Sequence, residues 1–160
     1  MRYRLTVILT MLVLAATVIG AHAQSKKAPN FALKTADGKT LELGKLKGKG
    51  VLINFWATWC GPCRREIPDF IEVYNKNKAR GFEIVGIALD DDGWSIVRPF
   101  VKKLNINYPV VVGDNDLVTA YGGFDVIPTT FLVDKNGTII SPHTGVMTKA
   151  QLESLLKNLL

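Results

Sequence analysis

The chain has 160 residues, 48% apolar and 21% charged, the balance of a globular domain with a proper core and not of a disordered or repetitive chain. Its formal charge is +6, but Arg2 and Arg4 belong to an N-terminal segment, and Lys26-Lys27 and Lys45, Lys47 and Lys49 flank turns without interleaved aromatics, so nothing favours nucleic acid as a partner. Two cysteines in all leave none for a separate structural disulfide; one pair carries whatever thiol chemistry the chain has.

Arg2 and Arg4 precede an apolar run from Leu5 to Ile19, followed by Gly20 and Ala21-His22-Ala23. A basic start, an apolar stretch and a small-x-small site predict a secretory signal over residues 1–23, cleaved after Ala23. The alternative is an uncleaved anchor, although the run is short against the roughly 20 residues of a membrane span. Either way the remaining domain, residues 24–160, is expected outside the cytoplasmic membrane, in the periplasm or on the outer face of the cell membrane. A reactive dithiol there draws its electrons from elsewhere.

Phe31 to Lys34 and Thr40 to Leu43 flank Asp37-Gly38, a hairpin signal. Lys45 to Gly50 connects into an apolar run, Val51 to Ala57, that reads as a buried strand. Cys60-Gly61-Pro62-Cys63 follows, with Pro62 where a helix begins, as its first residue. Cys60 then sits at the helix N-terminus and Cys63 one turn inside. Unpaired backbone N–H groups and the positive end of the helix dipole favour a thiolate at Cys60, and a second thiol three residues on is placed to resolve a mixed disulfide. Zinc would need two more ligands, and beyond the N-terminal segment only His143 is on offer, so the pair reads as redox-active with no metal and no cofactor.

The helix should run to about Arg80, with Gly81 as its stop. Its apolar stripe is Cys63, Ile67, Phe70, Ile71 and Tyr74, with Asp69, Glu72 and Lys76 outward, and Pro68 predicts a kink. Phe82 to Leu89 is a second buried strand. Asp90-Asp91-Asp92-Gly93 reads as a solvated loop that offers a cap to a helix over Ser95 to Leu104. Tyr108 to Val112 predicts a strand, and Asp114 to Tyr121 a short helix stopped by Gly122-Gly123. A strand after Pro128 turns at Lys135-Asn136-Gly137 into a partner from Thr138 to Ser141, which leaves His143 in a loop. Thr148 and Gln151 hold capping-box positions before a helix whose apolar face is Leu152, Leu155, Leu156 and Leu159.

Strand, CxxC-headed helix, strand, helix, Ile127-Pro128-Thr129, hairpin and amphipathic helix together resemble the thioredoxin fold, a central mixed sheet flanked by helices. The N-terminal hairpin, an inserted helix and strand over about 91–112, and the wording Leu52-Ile53-Asn54-Phe55-Trp56-Ala57-Thr58-Trp59-Cys60-Gly61-Pro62-Cys63 with Glu66 and Pro68 are similar to the exported TlpA/ResA branch over about residues 28–160. This resemblance implies a protein-disulfide reductase acting on disulfide-containing exported proteins such as apocytochrome c. Electrons would come from a membrane thiol reductase of the CcdA or DsbD type, and the protein itself is expected to be a monomer. Cys60 resembles the attacking cysteine, Cys63 the buried resolving one, and Pro128 the family's cis-proline, which brings the Ile127 backbone beside the cysteines to pair with a substrate chain. Trp59, Gly61 and Pro62 complete the implied substrate surface.

Thioredoxins carry a buried aspartate where this chain has Asn54, and Glu66 is the candidate replacement. It falls about 80° from the centre of the apolar stripe, at the flank, and lean toward the helix N-terminus would aim it at Cys63; otherwise it is a surface glutamate paired with Arg65 or a neighbour. Three other functions compete with reduction. An oxidase or isomerase differs only in redox poise. A thiol peroxidase would resemble Pro-x-x-x-Thr-x-x-Cys, but Ala57 stands where the threonine belongs. A Sco-type copper carrier would resemble Cys-x-x-x-Cys with a distant histidine, one residue longer than the spacing here.

Overall fold

The computed structural model describes residues 26–157 and 159–160. The segment read as a signal or anchor, residues 1–23, lies outside them. Among the described residues no helix is long and apolar enough to cross a membrane.

The predicted hairpin forms from β1 (Ala32–Lys34) and β2 (Thr40–Glu42), and a 3-10 turn over Leu43–Leu46 leads into β3 (Gly50–Trp56). Helix α1 (Gly61–Asn77) follows, extended by a 3-10 turn over Lys78–Arg80 to Gly81. Gly81 has φ 87°, the left-handed conformation that ends a helix and that side chains resist. Then come β4 (Phe82–Ala88), α2 (Trp94–Lys103), β5 (Val110–Val112), α3 (Asn115–Ala120), β6 (Thr129–Val133), β7 (Ile139–Thr144) and α4 (Lys149–Leu156). Asp114 caps α3, and Thr148 with Gln151 forms the expected capping box on α4.

The strands lie in the order β5-β4-β3-β6-β7, with β3 central, β4 and β5 parallel to it, and β6 and β7 antiparallel. Every residue of β3 and β4 is buried, because the sheet is covered on both faces; the strands therefore read as unbroken apolar runs instead of alternating ones. Leu52, Trp56, Ile84 and Ala88 face a core shared with α1, α2 and α4. Val51, Ile53, Phe55, Val85 and Ile87 face the other way, under the hairpin, Tyr121 and Phe131. This alternation puts Asn54 on the α1 side of the central strand.

Three local expectations are corrected. Cys60 is the cap of α1, so Pro62 takes its second and not its first position; both lack an intrahelical N–H partner, which is why proline fits either. Helix α1 contains Pro68 and continues beyond it to Asn77. Its buried stripe includes Val73, whereas Ile71 is only half-buried, since the helix also packs against α4. His143 lies in β7, opposite Thr130, because that strand continues to Thr144.

Candidate active site

The C-terminal end of β3, the N-terminus of α1 and the start of β6 meet at one edge of the sheet. Cys60 and Cys63 are joined there in a disulfide, and both are buried, Cys63 completely. Cys60 Sγ accepts a hydrogen bond from the Cys63 backbone N–H at 3.2 Å, the interaction a helix cap supplies. In the dithiol this donor and the helix dipole both favour the charged sulfur at Cys60 over that at Cys63. Ile127 and Pro128 cross in front of the pair with a cis peptide bond between them, and the Ile127 carbonyl oxygen lies 3.8 Å from Cys60 Sγ. Around this spot Gly61 and Pro62 are exposed, Ile127 is half-buried and Trp59 is 69% exposed. A large apolar side chain left in water beside a buried sulfur marks a surface another chain can cover.

Behind the cysteines lies a polar group within the apolar core. Glu66 is not at a solvated flank and its carboxylate is not paired with Arg65; it is 1% exposed and bonded to Asn54 and Met147 instead. The wheel placed it at the edge of the stripe, but the segment Gly145–Thr148, held by a bond from Gly145 N–H to the Pro128 carbonyl at 2.8 Å, closes over that edge. Met147 N–H donates to Glu66 Oε2 at 2.9 Å, and the Asn54 side-chain amide donates to Glu66 Oε1 at 2.8 Å and to Thr130 Oγ1 at 3.0 Å. Burial raises the Glu66 pKa to about 7, against the opposing pull of the Met147 N–H and the Asn54 amide. Its charge in turn helps burial to raise the Tyr108 phenol.

In β4, Gly86 stands opposite Asn54; a Cβ there would come within 3.0 Å of Trp56 Nε1 and 3.2 Å of Tyr108. The missing side chain leaves room for those rings to approach the β4 backbone closely. Asn54 was visible in the sequence as the one polar residue in an apolar run. Met147, Thr130 and Tyr108 gave no such signal, being ordinary residues that only the packing brings to Glu66.

The acidic loop is also corrected. Asp91 and Asp92 are exposed, but Asp90 is buried, and α2 is capped by Gly93 with no side-chain bond. Asp90 turns back instead to the residue two before Cys60: its carboxylate accepts from Thr58 N–H at 3.1 Å on each oxygen and from the Thr58 hydroxyl at 2.6 Å. Among the described residues no three His, Cys, Asp or Glu side chains are grouped to hold a metal ion.

The comparisons agree with this geometry. A family model described as Redoxin matches residues 23–160. The thiol-disulfide oxidoreductase ResA of Bacillus anthracis is 44% identical over 135 residues, 84% of this chain and 77% of that protein. ResA of Bacillus subtilis is 38% identical over 135 residues, 84% and 74% of the two chains. Among solved structures, a thiol:disulfide interchange protein of the thioredoxin family from Chlorobium tepidum superposes with a TM-score of 0.80 at 38% identity, covering 87% of this chain and 99% of that one. StoA from Bacillus subtilis does so with 0.70 at 28% identity, covering 81% and 97%. With a CxxC pair at the head of α1 on a thioredoxin-like sheet, the chain belongs to the Redoxin family and is a thiol-disulfide oxidoreductase related to ResA.

Proposed function

We propose that the protein reduces disulfides of exported proteins, apocytochrome c among them, outside the cytoplasmic membrane. The observation that carries this reading is the pairing of a helix-capped Cys60 sulfur with a buried glutamate one turn behind Cys63, whose pKa of about 7 suits it to exchange a proton near neutral pH. Cys60 thiolate attacks one sulfur of the substrate disulfide; that S–S bond breaks, and its other sulfur leaves as a thiolate. The substrate chain lies against the Ile127 backbone and the Trp59, Gly61 and Pro62 surface while the mixed disulfide lasts. Cys63, buried and apolar in its surroundings, must lose a proton before it can attack. Ionised Glu66 accepts it. Cys63 thiolate then displaces the second substrate sulfur from Cys60, so that two electrons have passed to the substrate and the Cys60–Cys63 disulfide remains.

Return to the dithiol needs a dithiol donor, and a membrane reductase of the CcdA or DsbD type fits a domain that leaves the cytoplasm by way of its N-terminal segment, as a cleaved signal or as an anchor. Acting on its substrates as a monomer, the domain needs no metal or cofactor for these steps. Oxidation of substrates would use the same residues in reverse, so the equilibrium of the Cys60–Cys63 pair with glutathione decides the direction: a strongly reducing pair supports reduction, an oxidising one overturns it. For the roles themselves, Cys60→Ser should abolish exchange, whereas Cys63→Ser should accumulate mixed disulfides through Cys60. Faster alkylation of Cys63 than of Cys60 in the reduced protein would reverse the assignment.

A further inference from the structure

We infer that Asp90 is a positioning residue for the attacking sulfur, acting through Thr58. The turn between β3 and α1 has few internal bonds. Cys60 N–H donates to the Ala57 carbonyl at 3.2 Å, Trp59 is exposed, and among the described residues the one side chain that grips the turn from another part of the sheet is Asp90, just beyond the end of β4. Its carboxylate takes both the backbone N–H and the hydroxyl of Thr58, at 3.1 Å and 2.6 Å. Leu89 N–H donates to the Trp56 carbonyl at 2.8 Å, so Asp90 is itself fixed in register with the strand that launches the turn. A buried carboxylate that accepts three contacts from one residue makes a rigid clamp, since charge-assisted hydrogen bonds are short and strong in such surroundings.

The two redox states depend on the clamp to different degrees. In the disulfide, Cys60 is tied covalently to Cys63 and stays over the helix N-terminus whether or not Thr58 is held. In the dithiol that tie is gone, and the clamp keeps Cys60 Sγ within reach of the Cys63 N–H and beside the Ile127 carbonyl. Asp90 therefore stabilises the reduced state, with its Cys60 thiolate, more than the disulfide. Removing it should raise the Cys60 pKa and shift exchange with glutathione toward the protein disulfide and free glutathione thiol. A simple charge effect has the opposite sign, because deleting a nearby negative charge would lower a thiol pKa.

The inference rests on the reading that Cys60 is the attacking thiol, and the experiment separates the two. Cys60 pKa, from pH-dependent alkylation, and the glutathione equilibrium are measured for the full chain and for Asp90→Ala, Asp90→Asn, Thr58→Val and Thr58→Ser. Asp90→Ala is expected to raise the pKa by about one unit and move the equilibrium about tenfold toward the disulfide, the scale of a lost hydrogen bond to a charged group. Asp90→Asn, which keeps an acceptor for Thr58, and Thr58→Ser, which keeps the hydroxyl, should stay near wild type. Thr58→Val should fall between, and carries the test if Asp90→Ala does not fold. Equal thermal destabilisation of both redox states with pKa and equilibrium unmoved, or a lowered pKa in both Asp90 variants, overturns the role of Asp90. If instead Cys63 proves the faster-alkylated thiol, it is the assignment of Cys60 that fails.

Discussion

Glu66 is where one residue decides most. A carboxyl whose pKa is raised on folding stays protonated in the folded protein over a range in which the unfolded chain has already ionised. The folded state then binds more protons than the unfolded one, and stability falls as pH rises through that range. From an ordinary value of 4.5 to about 7, the fall amounts to about 3 kcal/mol, present in full at low pH and lost by slightly alkaline pH. Urea unfolding between pH 5 and pH 8 should show this slope in the wild type and a much flatter profile in Glu66→Gln. Glutamine can be accommodated, because Asn54 Oδ1, buried without a hydrogen-bond partner, can turn to accept from the new amide. The same variant should lower the cysteine pKa values, by removing a negative charge near them, yet slow turnover with protein disulfides by removing the proton acceptor. Unchanged thiol titration and turnover would leave Glu66 a purely structural residue.

Elements matter here chiefly through their ends. The N-terminus of α1 supplies the donor to Cys60, and the approach to α4 supplies the Met147 N–H to Glu66. The α4 cap holds that approach in place: the Thr148 hydroxyl accepts from Gln151 N–H at 3.3 Å, and Thr148 N–H donates to the Gln151 side chain at 2.8 Å. Thr148→Ala should cost about 1 kcal/mol in unfolding free energy, and Thr148→Ser far less. Because the loosened segment also carries Met147, the pH slope assigned to Glu66 should change in Thr148→Ala but not in Thr148→Ser. A stability loss with an identical pH slope would confine the cap to α4.

At the scale of the molecule, the sheet divides the core into two halves with separate tasks. The half under α1 holds the cysteines and Glu66; the other half is packed with aromatics. Phe55 lies at its centre, wholly buried, with ring centroids 5.2 Å from Tyr121, 4.9 Å from Phe124 and 5.9 Å from Phe131. Phe55→Ala should lower the unfolding free energy by about 3–5 kcal/mol. Since Phe55 faces away from the redox centre, the Cys60 pKa of the folded variant should remain at the wild-type value. A shift of that pKa comparable to the one expected for Asp90→Ala would mean that the sheet does not insulate its two faces.

The order and type of the elements could be read from the chain because they rest on local physics: unbroken apolar runs for β3 and β4, a hairpin at Asp37-Gly38, a left-handed glycine after α1, and a capping box before α4. The placement of Cys60 and Cys63 at the head of a helix was equally local, since three residues along one turn decide it. What the chain did not disclose depends on which distant backbone covers which side chain. A helical wheel sees only one helix, so it left Glu66 at a flank that Gly145–Thr148 in fact encloses. Three successive aspartates look alike in sequence, yet only Asp90 is turned inward, because the parallel pairing of β3 and β4 brings the end of one strand beside the turn that leaves the other. Burial and hydrogen bonding across strands that are far apart in sequence are properties of the assembled sheet, and they set the charge, the pKa and the aim of the groups around the disulfide.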